Sequence, residues 1–152
     1  MTYRTIPIRQ VSTQRLAEIH QQCLPSRWSS KDFALLYADP AYNGFALEEN
    51  QLKVVGFIDL HVVVEEAEVY SFCITPEHRG KGLGQKLLKK LFTEAHQRNI
   101  QKIFLEVSEA NTAGRHLYRA LGFKEVGRRY GYYPQTDHGT TAIVLCSCPE
   151  NR

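Results

Sequence analysis

Three glycines alternate in Arg79-Gly-Lys-Gly-Leu-Gly-Gln85, where an extended apolar run ends and a helical pattern begins. Backbone without Cβ atoms at alternate positions is open to close approach, so a ligand or another chain segment is expected to lie against it. The stretch before it, Val69 to Pro76, is β-branched and aromatic and ends at a proline, which predicts a strand entering a loop. After it, Leu83, Leu87, Leu88, Leu91, Phe92 and Ala95 share one face at 3.6-residue spacing, with Lys86, Lys89 and Lys90 outside that face. Glycines at a helix start let several backbone N–H groups turn inward together, and the helix dipole adds partial positive charge there, which suits a phosphate. Arg79, Gly80, Lys81, Gly82, Leu83, Gly84 and Gln85 are therefore a candidate pyrophosphate cradle. An ordinary glycine-rich loop before a core helix fits the same residues.

The type of phosphate ligand is narrowed by what surrounds the glycines. A P-loop needs Gly-Lys followed by Ser or Thr to hold magnesium, and Lys81 is followed by Gly82, which excludes it. A dinucleotide fingerprint comes closer, with Glu106 standing about 20 residues downstream, where an acid that binds ribose is expected. Gln85 occupies the place of the third glycine, however, and the loop Thr75 to His78 separates strand from glycines where that motif has a tight turn.

At 152 residues, 43% of them hydrophobic and 23% charged, the chain has the size and composition of one soluble domain spanning 1–152. No apolar stretch resembles a signal peptide or a membrane span, so a cytoplasmic protein without membrane association is expected. Cys23, Cys73, Cys146 and Cys148 form no C-x-x-C pair and the six histidines are scattered, which predicts free thiols and no metal. Net charge is +3, unevenly spread: residues 79–102 carry seven basic residues against one acid, whereas 48–70 carry six acids against Lys53. The glycine loop lies in the basic half, which favours a polyphosphate, although lysines near a helix C-terminus account for Lys89, Lys90 and Arg98 equally well.

Taken in order, Tyr3 to Ile8 reads as a strand, Ser12 or Thr13 as the cap of a first helix ending before Pro25, and Ser29 or Ser30 as the start of a second, stopped by Asp39-Pro40. Strands over Phe45–Glu49, Leu52–Val64 and Ala67–Ile74 follow with short connections, which predicts an antiparallel meander. Beyond the glycine helix come a strand at Lys102–Val107, a helix at Asn111–Leu121 closed by Gly122 in the left-handed region, and strands at Phe123–Tyr130 and Thr140–Cys146. The expected class is α+β, a mixed sheet with helices on both faces and a loop at Tyr132–Gly139.

Arg79-x-x-Gly82-x-Gly84 resembles the acetyl-CoA signature of the GNAT superfamily of N-acetyltransferases. Leu105-Glu-Val-Ser-Glu-Ala-Asn111, Leu117-Tyr-Arg-Ala-Leu-Gly-Phe123 and Tyr132-Tyr-Pro134 resemble, in order and spacing, its ribosomal-protein-alanine (RimI-type) branch. The likeness runs from the Trp28 region to Cys146. It implies a seven-stranded, mostly antiparallel sheet with about four helices on its two faces, and acetyl-CoA as donor co-substrate without a metal. It also implies a protein or peptide N-terminus as acceptor, by analogy that of a small-subunit ribosomal protein, with no direct nucleic-acid binding.

Acetyl transfer needs an acceptor amine without its extra proton, and a carboxylate can remove it more readily from an α-amine, of pKa about 8, than from a lysine of about 10.4. Glu106 is an unusual carboxylate for an apolar strand; read alone, it points to solvent or pairs across the sheet, whereas the resemblance makes it the base. Tyr118, read alone an aromatic core residue, becomes by the same resemblance the acid that protonates the departing thiolate. Asn111 is either an N-cap or a CoA contact, and Phe72, Cys73 and Ile74 match the strand whose backbone binds pantetheine. Trp28, Tyr132 and Tyr133 fall where the family flanks its peptide groove.

Three departures lie around that groove: Arg27-Trp28 in place of Pro-Trp, an extra residue within Arg128–Tyr133, and Thr140-Thr141 in place of Glu-Asp. They leave open an N-terminal acetyltransferase, a lysine or small-amine acetyltransferase, and an idle acetyl-CoA-binding module. Retention of both Glu106 and Tyr118 argues against the last.

Overall fold

In the computed structural model, which describes residues 2–133 and 140–148, one seven-stranded sheet runs through the molecule in the order β1-β2-β3-β4-β5-β7-β6. Chain order is β1 (Tyr3–Pro7), α1 (Thr13–Cys23), α2 (Ser30–Tyr37), β2 (Tyr42–Glu49), β3 (Lys53–Val63), β4 (Glu66–Ile74), α3 (Leu83–Gln97), β5 (Lys102–Ser108), α4 (Thr112–Ala120), β6 (Lys124–Tyr133) and β7 (Thr140–Ser147). All neighbouring strands are antiparallel except β4 and β5. The one parallel pair is joined through α3, the crossover that a parallel step needs.

The element ends show why the helices start where they do. Ser12 caps α1 by accepting from Arg15 N–H at 3.2 Å, and Ser29 with Asp32 forms a reciprocal capping box on α2. Asn111 caps α4, and Gly122, at φ 93°, closes it. Asn50 and Gln51, at φ 53° and 61°, make the turn from β2 to β3.

Two apolar clusters sandwich the sheet. Leu83, Leu87, Leu88, Leu91 and Ala95 of α3 pack with Leu47, Ile58, Leu60, Ala67, Leu105, Val107 and Ile143, and Tyr118 and Phe123 join the same cluster. On the other face Leu16 and Ile19 of α1 and Phe33 of α2 cover Ala46, Phe57 and Cys73. Each fully buried leucine contributes ~1.5–3 kcal/mol, so the three at Leu87, Leu88 and Leu91 fix α3, and with it the helix N-terminus, against the sheet. Among the described residues no helix is long and apolar enough to cross a membrane.

Two strands depart from the sequence reading in ways that bear on the site. The expected loop from Tyr132 is strand up to Tyr133, which pairs with Thr140; aromatic side chains favour extended backbone, and the surplus residues around Gly131 are taken up by an irregular register between Arg129 and Tyr133. In β4, the register with β3 slips between Asp59↔Ser71 and Leu60↔Val69, leaving Tyr70 as the extra residue of a bulge.

Asp59, beside that bulge, is fully buried, and its Oδ2 accepts from the Tyr42 hydroxyl at 2.6 Å. Burial pushes its carboxyl from 3.8 up to about 7. A carboxyl raised on folding binds more protons in the folded than in the unfolded chain. Its contribution is therefore fully favourable at low pH and is lost as pH rises through the interval from 3.8 to about 7. Asp59→Asn should flatten that decline. Urea midpoints of parent and variant, followed from about pH 4 to pH 7, should converge at the acid end and diverge toward neutrality in the variant's favour; parallel profiles would show that Asp59 does not titrate in this range.

Candidate active site

β4 and β5 pair over only Glu66–Glu68 with Lys102–Phe104 and then part company. Beyond that point β4 continues along β3, and β5 along β7. Among the described residues no strand pairs with the β5-facing edge of Val69–Ile74, and backbone polar groups on such an edge need partners. The bulge at Tyr70 also exchanges the faces of β4: Ala67 and Val69 before it and Phe72 and Ile74 after it all meet the α3 cluster, while Cys73 turns to the α1–α2 side.

The glycine loop stands at the far end of this opening. Thr75 N–H is held by Val55 O at 2.9 Å, the Thr75 hydroxyl meets His78 Nδ1 at 2.8 Å, and His78 Nε2 meets Glu49 at 3.0 Å. The hydrogen bond from Tyr3, joined by His78, holds the Glu49 carboxyl below the usual carboxylate range. This buried linkage clamps the strand-to-loop junction, and Arg79 Nε donates back to Ile74 O at 3.0 Å.

Gly80 and Gly82 sit at φ 78° and 77°, and a Cβ on either would meet no atom within 4 Å. Gly82 is the N-cap of α3, so no side chain caps the first N–H groups of the helix. Gly84 obeys a different constraint. Its missing Cβ points at Phe72 Cζ, 3.0 Å away, so packing between α3 and β4 favours glycine there. Leu83 is buried, and the ligand face is left to its backbone and to exposed Arg79, Lys81 and Gln85.

Glu106 and Tyr118 lie on different sides of the sheet. Ile103, Leu105 and Val107 of β5 join the α3 cluster, so Glu106 turns to the α1–α2 face, where its Oε1 pairs with Arg129 Nε at 3.2 Å across β7. Tyr118 is buried on the α3 side, its ring 6.1 Å from Phe72 and 5.7 Å from Phe123. Arg129 is the partner that sequence reasoning missed: it was visible only as part of a basic pair, since its contact with Glu106 passes over an intervening strand.

Asn111 uses its side-chain oxygen to accept from Gly114 N–H at 2.9 Å, as an N-cap. Trp28 stacks on His20 with centroids 4.8 Å apart and meets Phe33 and Tyr70 edge-on. His20 is held to about 4 by burial, and its neutral Nδ1 accepts from Trp28 N–H at 3.2 Å. Trp28 thereby packs on the core and also walls a cavity of about 420 Å³ with Tyr70, Leu35, Leu36, Asp32 and Asp39. The backbone of Tyr132 and Tyr133 ends β6; their side chains, like the segment 134–139, lie outside the described residues.

One parallel strand pair in an otherwise antiparallel sheet is incompatible with a dinucleotide-binding fold, which needs parallel strands at the glycine turn. Residues 13–123 match the acetyltransferase (GNAT) family. The chain belongs to the GNAT family. The ribosomal protein bS18-alanine N-acetyltransferase of Haemophilus influenzae is 35% identical over 135 residues, 89% of this chain and 90% of that protein. Its counterpart from Escherichia coli (strain K12) is 35% identical over 127 residues, 84% of each chain. The crystal structure of the E. coli ribosomal-protein-S18-alanine N-acetyltransferase aligns over 97% of this chain and 94% of its own with a TM-score of 0.90 and 31% identity. This GNAT protein is an acetyl-CoA-dependent N-acetyltransferase.

Gly82→Asp should separate ligand binding from folding. The left-handed φ costs a non-glycine residue ~1–2 kcal/mol, which the core of α3 can absorb, while the carboxylate enters the open space at the helix N-terminus. Acetyl-CoA affinity measured by calorimetry should fall by about tenfold or more, equivalent to ~1.4 kcal/mol, with the circular dichroism spectrum retained. Gly84→Ala should instead lower the melting temperature through its collision with Phe72. Undiminished affinity in folded Gly82→Asp would rule the loop out as the phosphate site.

Proposed function

We propose that the acceptor is the α-amine of a protein N-terminus, and that ribosomal protein bS18 supplies it through its N-terminal alanine. The observation that carries this reading is the place of Glu106, on the α1–α2 face where β4 and β5 separate, the face that also holds the Trp28 cavity. The names of the relatives at 35% identity support it.

Acetyl-CoA brings an activated thioester, and the residues present fit it: an opening between strands, a helix N-terminus without a side-chain cap, and two left-handed glycines beside open space. In this reading Arg79 to Gln85 hold the diphosphate, the backbone of Phe72, Cys73 and Ile74 holds the pantetheine, and Asn111 offers its side-chain nitrogen. Glu106 takes a proton from the acceptor ammonium, directly or through a water, and Arg129 keeps its carboxylate aimed. A carboxylate suffices for an α-amine of pKa about 8, whereas a lysine of about 10.4 asks more of it. Tyr118, on the other side of the opening, delivers a proton from its hydroxyl to the leaving sulfur. Trp28 bounds the approach of the peptide, and Tyr132 and Tyr133 clamp its backbone.

A second reading, transfer to a lysine or small-molecule amine, draws on Asp32 and Asp39 in the walls of the Trp28 cavity, where carboxylates and aromatic rings suit a cation.

Glu106→Gln keeps shape and removes the base, so kcat should fall by ~100-fold or more with acetyl-CoA affinity unchanged. Tyr118→Phe should lower kcat while leaving donor affinity intact; an equal fall in both would recast it as a cofactor contact. For the acceptor, an Ala-initiated bS18 peptide is compared with the same peptide blocked at its N-terminus and carrying an internal lysine, the acetylated position being located by mass spectrometry. Faster modification of the lysine would transfer the assignment to the second reading.

A further inference from the structure

The C-terminal end of α1 brings Cys23 to the end of β4, where two side chains converge on one carbonyl oxygen. Cys23 Sγ lies 3.3 Å from Ile74 O, and Arg79 Nε lies 3.0 Å from the same atom. Cys73, the residue before Ile74 and 1% exposed, faces α1 because the Tyr70 bulge turns it there, and Cys23 packs against the cluster that holds it. Cys23 itself is half-buried, within reach of a small reagent. Two thiols brought to the same strand end, one of them beside a guanidinium, form a cluster that acetyl transfer does not use.

We propose that Cys23 and Cys73 are a redox couple, oxidised by a peroxide to an intramolecular disulfide. The Cys23 thiolate attacks one peroxide oxygen, the O–O bond breaks, and hydroxide leaves, so that Cys23 becomes a sulfenic acid. Cys73 sulfur then attacks the Cys23 sulfur, the S–O bond breaks, and water leaves with the Cys73 proton. Two thiols are oxidised by two electrons and one peroxide is reduced to two waters.

The division of labour follows from the surroundings. The neighbouring Cys73 thiol, and after it Arg79, bring the Cys23 thiol from 9.0 down to about 7, whereas Cys23 and burial push Cys73 up, with Asp59 adding to the effect. Cys23 is thus the sulfur that reacts first and Cys73 the one that resolves. The cross-link would tie the end of α1, from which the Trp28 loop departs, to the strand edge that lines the β4–β5 opening. Donor binding should weaken reversibly as a result.

The test treats the full chain with hydrogen peroxide at neutral pH, traps remaining thiols with N-ethylmaleimide, and maps peptides without reduction. Two of the four thiols should be lost in one Cys23–Cys73 linked pair, with acetyl-CoA affinity falling and both changes reversed by dithiothreitol. Cys23→Ser should lose the link. Cys23 recovered as sulfinic acid without a partner, or a link confined to Cys146 and Cys148, would overturn the couple; a link with unchanged affinity would overturn its connection to the donor site. Independently, iodoacetamide alkylation of Cys23 should reach half its limiting rate near pH 7 and at higher pH in Arg79→Gln. A midpoint near 9.0 in both proteins would count against the proposal.

Discussion

Everything in the site depends on a sheet that stops pairing half-way along two of its strands. A parallel ladder between β4 and β5 would satisfy their backbones and close the molecule, leaving no room for a ligand. Three pairs form and then the strands diverge, at the level of an extra residue in β4. A bulge sharpens local twist and kinks the strand that carries it, so Tyr70 accounts both for the divergence and for the exchange of faces beyond it. The edge left open is a row of backbone donors and acceptors in search of partners, which is how an extended, amide-containing cofactor arm can be recognised without specific side chains.

The second requirement is that the glycine loop, the proposed phosphate-binding end, be held at a fixed distance from that edge. The apolar face of α3 and the Tyr3–Glu49–His78–Thr75 linkage meet this need from opposite directions, one fixing the helix and the other the loop that enters it. Between them the backbone of Gly80 and Gly82 spans the turn in left-handed conformations. The loop can therefore stay exposed while its two ends are rigid, and the N–H groups of α3 remain aimed without the cost of ordering them on binding.

Much of this was legible in the sequence because local chemistry and tertiary role agree there. Leucine periodicity after the glycines, serine caps before α1 and α2, and Gly122 after α4 each mark an element by a mechanism that acts within a few residues. Glu106 and Asn111 were legible in a weaker sense. Both bland readings of them are realised, Glu106 pairing across the sheet and Asn111 capping a helix, and neither excludes the chemical role proposed for it. What could not be read off was register. The bulge at Tyr70 follows no turn residue, the Glu106–Arg129 pair spans a strand, and the nearness of Cys23 to Cys73 joins residues fifty positions apart in sequence. Such contacts are set by how strands align, and a one-residue slip exchanges every face.

That exchange of faces bears directly on how protons can be managed. Had β4 kept its alternation, Phe72 and Ile74 would have turned toward α1, and the cluster that holds Tyr118 would have lost both neighbours. With the bulge in place, Tyr118 rests against Phe72 on the α3 side, while Glu106 stands on the α1–α2 side beside Arg129. Under the roles proposed for them, the two groups would then approach a thioester held in the opening from opposite faces, Glu106 from the side of the amine and Tyr118 from the side of the sulfur.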